Sequence, residues 1–216
     1  VARLDRMQSD REIVQLAATL GREFTWETIS AVHAADDATL QNELSKLVDA
    51  DLLIQRGRPP KCAYQFKHAL IQDAAYESLL KKTRQRYHGQ IADVLESHFP
   101  ESVESEPELL AHHFTHGDQK EKAVGYWLKA GQRSQVRSAN TEAISHLTRG
   151  FEILQTLDES LQRDQLELGL QATLGPVLMA ARGWAAPEVG IAIERARQLC
   201  AKIGTIADQF FVMWGL

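Results

Sequence analysis

The sequence predicts a mainly α chain in two parts: three short helices closed by a small β-hairpin, then an unbroken series of helices. Three observations carry this. Apolar residues recur at helical spacing along most of the chain. One pair of strand-like runs, LLIQR and AYQFK, flanks the Gly/Pro loop GRPPKC. Beyond about Gln72 no strand signal returns.

In the first part, Ile13, Leu16, Ala17 and Leu20 share a helical face, and Gly21 stands where it would end that helix. Thr25 is placed to cap a second helix, with Thr28 three residues on and Ile29 and Val32 inward. Leu40, Leu44, Leu47 and Val48 mark a third, with Asp36 or Asp37 at its start. Three helices followed by a two-stranded hairpin is the order of a winged helix, expected here over residues 1–80.

Further helices are predicted near 72–81, 84–98, 106–116, 119–136, 139–157, 160–181 and 187–203, with another starting near 206. Pro100, Gly117, Asn140, Asp158, Gly183 and Gly204 mark the breaks. Regular helices on short links predict an α-solenoid over residues 81–216, truncated at its C-terminal end. Trp127, Gly131, Ala143, Leu147 and Gly150 match the large and small positions of a tetratricopeptide repeat, in which small residues let two helices approach and the indole fills the space between them. Ser134 stands where an aromatic is usual, and a longer link, GPVLMAARGWAAP, precedes Ala192 and Ala196. The array is therefore TPR-like and degenerate; a generic helical bundle is the alternative.

The net charge of −5 divides as −1 over residues 1–83 (11 basic, 12 acidic) and −4 over residues 84–216 (13 basic, 17 acidic). Neither part carries the excess of Lys and Arg that a phosphate backbone demands. Cys62 and Cys200 fit no disulfide framework or zinc spacing. No apolar run reaches the ~18 residues of a membrane span, and no signal-peptide pattern opens the chain. With VARLDRM at one end and the apolar FVMWGL at the other, the chain reads as a piece of a longer cytoplasmic protein.

Catalytic motifs are absent: the sequence has no GxxxxGK[ST], GxGxxG or GxSxG, and no His stands near either Cys. The carboxylates read as the solvated faces of amphipathic helices. His112 and His116 have the i, i+4 spacing of metal ligands, and His113 lies between them. No third ligand or HEXXH accompanies them, so packing imidazoles are expected and no metal site is assigned. Lys122, Lys129, Arg133 and Arg137 line one side of a helix, as a solvated stripe or a dock for an acidic partner. The third helix of a winged helix would enter a DNA groove. Here it holds Asp36, Asp37, Glu43, Asp49 and Asp51 against Lys46, and only the wing is basic, through Arg56, Arg58 and Lys61.

The segments ARLDR (2–6), LGREFTWE (20–27), FKHALIQDAAYESLL (66–80), PELLAHHFT (107–115) and RGWAAPEV (182–189) resemble one bacterial family of multidomain signalling proteins. In these, a class III adenylate/guanylate cyclase domain is commonly followed by a signal-transducing (STAND-type) ATPase module and tetratricopeptide repeats. The resemblance implies that this chain is the winged helix after the ATPase core plus the first repeats, with the P-loop and any cyclase domain N-terminal to it. ATP or ADP with Mg would then sit in that missing core. The implied role is non-catalytic: to relay nucleotide state and to bind a protein partner, or the parent's own output domain, through the repeats. Neither nucleic acid nor a membrane is expected as a partner. A DNA-binding transcriptional regulator fragment and a free-standing repeat scaffold are the other readings.

HALIQDAA, from His68, looks like the Met-His-Asp motif of related nucleotide-switch proteins, in which the His lies at the strand-to-helix junction of the winged helix and approaches the β-phosphate of ADP. Lys67 replaces Met and Ala69 replaces the first Asp. His68 is thus the one candidate nucleotide-contacting residue, and a structural role in capping or packing the helix start is the alternative. Leu70, Ile71, Ala74 and Ala75 are expected to anchor the helix that follows.

Overall fold

A computed structural model describes residues 11–203. They are mainly α: eleven α-helices and one three-stranded antiparallel sheet, divided between two compact units that meet in sequence at Pro100. The ARLDR segment, Gly204 and the helix expected near 206 lie outside the described residues.

The first unit runs α1 (Arg11–Leu20), β1 (Glu23–Thr25), α2 (Trp26–Val32), α3 (Asp37–Asp49), β2 (Leu53–Arg58), β3 (Lys61–Phe66), α4 (Ala69–Glu77) and α5 (Lys81–His98). Its helix starts are set locally. The Thr25 hydroxyl accepts from the Thr28 N–H at 3.1 Å. Asp36 accepts from the Ala38 and Thr39 amides at 3.0 Å each, and the Thr39 N–H foremost holds its carboxyl below the usual range. The hairpin reverses at Pro59 and Pro60, and just before it, in β2 opposite Cys62, Gly57 has a φ of +90° and lacks a Cβ that would lie 2.6 Å from the Lys61 carbonyl oxygen; both exclude a larger residue.

One strand was not expected. Residues 23–25 pair antiparallel with β3, so the sheet order is β1-β3-β2. Phe24 is buried there and stacks on Tyr64 at 5.6 Å between ring centroids. Ile13, Ile29, Leu40, Leu44, Leu47, Tyr64 and Phe66 form the core beneath. Each removes enough apolar surface from water to contribute about 1.5–3 kcal/mol. The unit also continues past residue 80, because α5 packs on α1 and α2 through Tyr87, Ile91, Ala92 and Leu95. Tyr87 donates to Glu12 at 3.3 Å.

The second unit, Glu101–Leu216, contains most of α6 (Pro100–Ser105), then α7 (Pro107–His116), α8 (Lys120–Val136), α9 (Asn140–Leu154), α10 (Leu161–Arg182) and α11 (Pro187–Ile203). Helix α6 falls where the sequence suggested only a break; its proline occupies the first position, where no intrahelical N–H is needed. From α7 on, each helix packs on the next, and α8 also meets α10. The small residues explain the spacing. A Cβ on Gly131 would lie 2.6 Å from Leu147 Cδ2, and one on Gly150 would lie 2.9 Å from Leu170 Cδ2. Trp127 is 4% exposed and donates through Nε1 to Thr115 Oγ1 at 3.1 Å.

The segment expected to be a long link is mostly helix: α10 runs through Pro176 to Arg182. Two buried carboxylates fasten α10 to α11. Glu167 receives Arg195 through two of its guanidinium nitrogens, Nε and Nη2, the latter at 2.8 Å, and Asp164 takes Lys202 at 2.7 Å. Among the described residues no helix is long and apolar enough to cross a membrane.

Candidate functional site

β3 ends at Phe66, 1% exposed, and α4 starts at Ala69, which places His68 at the junction between them as the N-cap residue of α4. Its backbone is extended (φ −131°, ψ 134°) and its carbonyl accepts from the Ile71 N–H at 3.0 Å. The imidazole makes no cap hydrogen bond, and the residue is exposed. Before it, Lys67 is held by an ion pair to Asp51 at 2.5 Å and by its N–H to the Leu52 carbonyl at 3.0 Å. The backbone on both sides of His68 is therefore fixed while its ring faces water.

Helix α4 is anchored differently from the expectation. Ala75 is buried, Ile71 and Ala74 are half-buried, but Leu70 is 79% exposed. With Ala75 and Leu79 turned inward, Leu70 comes five residues early, about 140° around the helix from Ala75 at about 100° per residue. It therefore joins Asp73 and Glu77 on the open side. The opposite side is fixed by polar groups that sequence reasoning missed. Tyr76 OH and His88 Nε2 are 2.9 Å apart. Arg84 donates to the Tyr76 carbonyl at 3.0 Å and lies 4.3 Å above the Tyr76 ring. Gln72 donates to the Ala18 carbonyl at 3.3 Å, and Gln15 to the Ser78 hydroxyl at 2.8 Å. Burial raises the Tyr76 hydroxyl above its ordinary pKa, against the pull of Arg84.

His112 meets both His113 and His116 edge-to-face, with ring centroids 5.5 Å (112–113) and 4.4 Å (112–116) apart. Burial, and then its neighbouring imidazoles, pulls His113 down to about 3; burial foremost, then His116 and Arg149, pulls His112 to about 4. Elsewhere in this unit Trp127 stacks on His146 at 5.5 Å, with the Arg149 guanidinium 5.0 Å over the indole. Among the described residues no group of three or more His, Cys, Asp or Glu is placed to hold a metal ion.

The basic stripe of α8 is partly committed. Lys122 lies 4.8 Å over the Phe114 ring, Lys129 4.6 Å over Tyr126, and Arg133 is 3.9 Å from Glu108. On the wing, Arg56 reaches Gln65 at 3.0 Å and Glu23 at 3.5 Å. Asp37 and Asp49 are exposed on α3. Within the second unit, a groove of about 470 Å³ opens between α8, α10 and α11, which the sequence reading did not foresee.

No family model matches the chain, and no solved structure matches it. It is similar to an uncharacterized protein of Rhizobium meliloti (strain 1021), 28% identical over 199 residues, which are 92% of this chain and 19% of that protein. The chain thus spans about a fifth of the length of this relative.

Proposed function

We propose that the chain is a non-catalytic relay and interaction region of a multidomain bacterial signalling protein, of the kind that joins a class III adenylate/guanylate cyclase to an ATPase switch. In this reading the first unit is a winged helix that senses the nucleotide bound in a preceding ATPase core. The second is a TPR-like array that binds a partner protein or the parent's output domain. The observation that carries the reading is His68: an exposed imidazole, at the start of a well-anchored helix, with no cap bond of its own. A neutral imidazole there offers one N–H to a phosphate oxygen, and the adjacent helix N-terminus favours the negative charge. The match of nearly the whole chain to a fifth of a longer relative supports a role as one region among several.

A contact made to ADP and not to ATP is what a switch requires. His68→Ala in the parent protein is therefore expected to weaken ADP more than ATP and to raise basal output. The measurement is titration of both nucleotides into wild type and variant, beside a thermal melt of each. Equal loss for both nucleotides, or a lowered melting point with unchanged affinities, would make His68 a structural residue and remove the basis of the relay.

A further inference from the structure

The groove of the second unit has an unusual wall. A quarter of the chain is Asp, Glu, Lys or Arg. The thirteen residues lining the groove would hold about three of these at that frequency, and they hold none. Four carboxamides line it instead: Gln132 and Gln135 from α8, Gln165 and Gln171 from α10. Leu168, Ala172, Pro176 and Met179 supply an apolar side. Pro176 has no N–H to offer the Ala172 carbonyl four residues back, and both residues are exposed in the groove. Val136, 86% exposed, lies one turn beyond Gln132 on the same face of α8 and prolongs the apolar surface.

We propose that this groove takes an uncharged, extended peptide segment of a partner protein, gripped through its backbone amides by the glutamine carboxamides. The proposal rests on the reading of the second unit as a partner-binding array and names what it binds. Three physical arguments select the occupant. A charged side chain entering the groove would shed water and meet no counter-charge. A helical ligand has its backbone N–H and C=O groups already paired, which would leave the carboxamides without partners. In an extended segment every peptide unit keeps a donor and an acceptor, and each Gln side chain presents both in return. The volume, about 470 Å³, is that of a pocket which buries a ligand of a few residues.

The test is selection of a displayed random library of 12-residue peptides on the chain, followed by synthesis of the enriched peptides with blocked termini and as free acids. The expected result is enrichment of sequences with a central run free of Asp, Glu, Lys and Arg, bound equally well blocked or unblocked. The double variant Gln132→Ala/Gln165→Ala, at two exposed positions, is expected to bind them about 10-fold or more weakly at an unchanged melting point. Should the double variant melt lower, the single variant Gln165→Ala is read the same way. Absence of any enriched peptide, a charged motif, a need for a free terminal carboxylate, or undiminished binding by the variants overturns the proposal. The selection contains no nucleotide. A positive selection with no ADP preference in the parent therefore sinks the relay alone, and the reverse sinks the groove alone.

Discussion

Replacing Trp127 with Ala removes the largest side chain between α8 and its neighbours. The indole is 4% exposed. It packs against the Gly150 position, where a Cβ would come within 3.4 Å of Trp127 Cβ, and it stacks on His146. Losing a buried indole costs about 3–5 kcal/mol through transfer and cavity terms. The hydrogen bond to Thr115 at 3.1 Å adds to this, since its loss leaves the part-buried Thr115 hydroxyl one partner short, at about 1 kcal/mol. Gly131 and Gly150 allow their helices to close in, but the leucines already fill those notches, so little collapse is available to offset the cavity. Urea unfolding followed by helical circular dichroism is the assay, with Trp127→Phe beside Trp127→Ala. The Phe variant keeps much of the packing and loses the N–H donor, so it is expected to lose the smaller part of the stability. A Trp127→Ala transition displaced by less than about 1 kcal/mol would mean that the ring does not hold these helices together, and the repeat register would be wrong.

Two further expectations concern charge. His113 has a folded-state pKa near 3, well below its ordinary value of 6.5, so the folded unit binds fewer protons than the unfolded chain. Its stabilising contribution is complete above pH 6.5 and is lost as the pH falls toward 3. At about 1.4 kcal/mol per unit this is about 2 kcal/mol between pH 6.5 and 5, and His112, which is more exposed, adds little because water screens it. Unfolding free energies at those two pH values should diverge less in His113→Phe than in wild type; identical slopes would remove His113 as the cause. At the α10–α11 contact, Arg195→Met should cost about 2–3 kcal/mol by leaving Glu167, 7% exposed, with only the longer 3.5 Å pairing to Arg163. The double variant Glu167→Leu/Arg195→Met should recover much of that loss, and a double variant less stable than the single one would refute the buried-charge account.

Most helices were legible because their signals are local. Thr25 caps as placed, Asp36 is the cap of the two aspartates offered for α3, Gly21 ends α1, and the inward leucines of α3 repeat at the helical period. What escaped depends on partners distant in sequence. EFT is too short to show alternation, and β1 exists because Phe24 finds Tyr64 and Phe66 on β3. Helix α5 displays its own apolar face, yet nothing in that face says that α1 and α2 cover it. Leu70 was misplaced because HALIQDAA contains two overlapping apolar phases, and only the seat of Ala75 and Leu79 chooses between them. The groove was illegible for a similar reason. Glutamines at 132, 135, 165 and 171 read as ordinary solvent-facing residues until α8 and α10 are brought side by side.

The departures from the Met-His-Asp pattern take on a physical meaning once α4 is seen in place. Lys67 is tied to Asp51, so the residue before His68 serves the local fold and contributes no apolar side chain to a neighbour. Ala69 supplies no carboxylate to orient the imidazole, which leaves that task to the backbone alone. The backbone is suited to it: Phe66 and Lys67 fix the entry through amide hydrogen bonds to Arg22 and Leu52. The far end of α4 is held by Tyr76, Arg84 and His88. A helix held by its backbone at the entry and by side chains at its far end leaves little room to absorb a force on His68 by local rearrangement. In the proposed relay, a push or pull at the imidazole is resisted where α4 meets α5, and the polar contacts of Tyr76 there are what a displaced α4 would have to break.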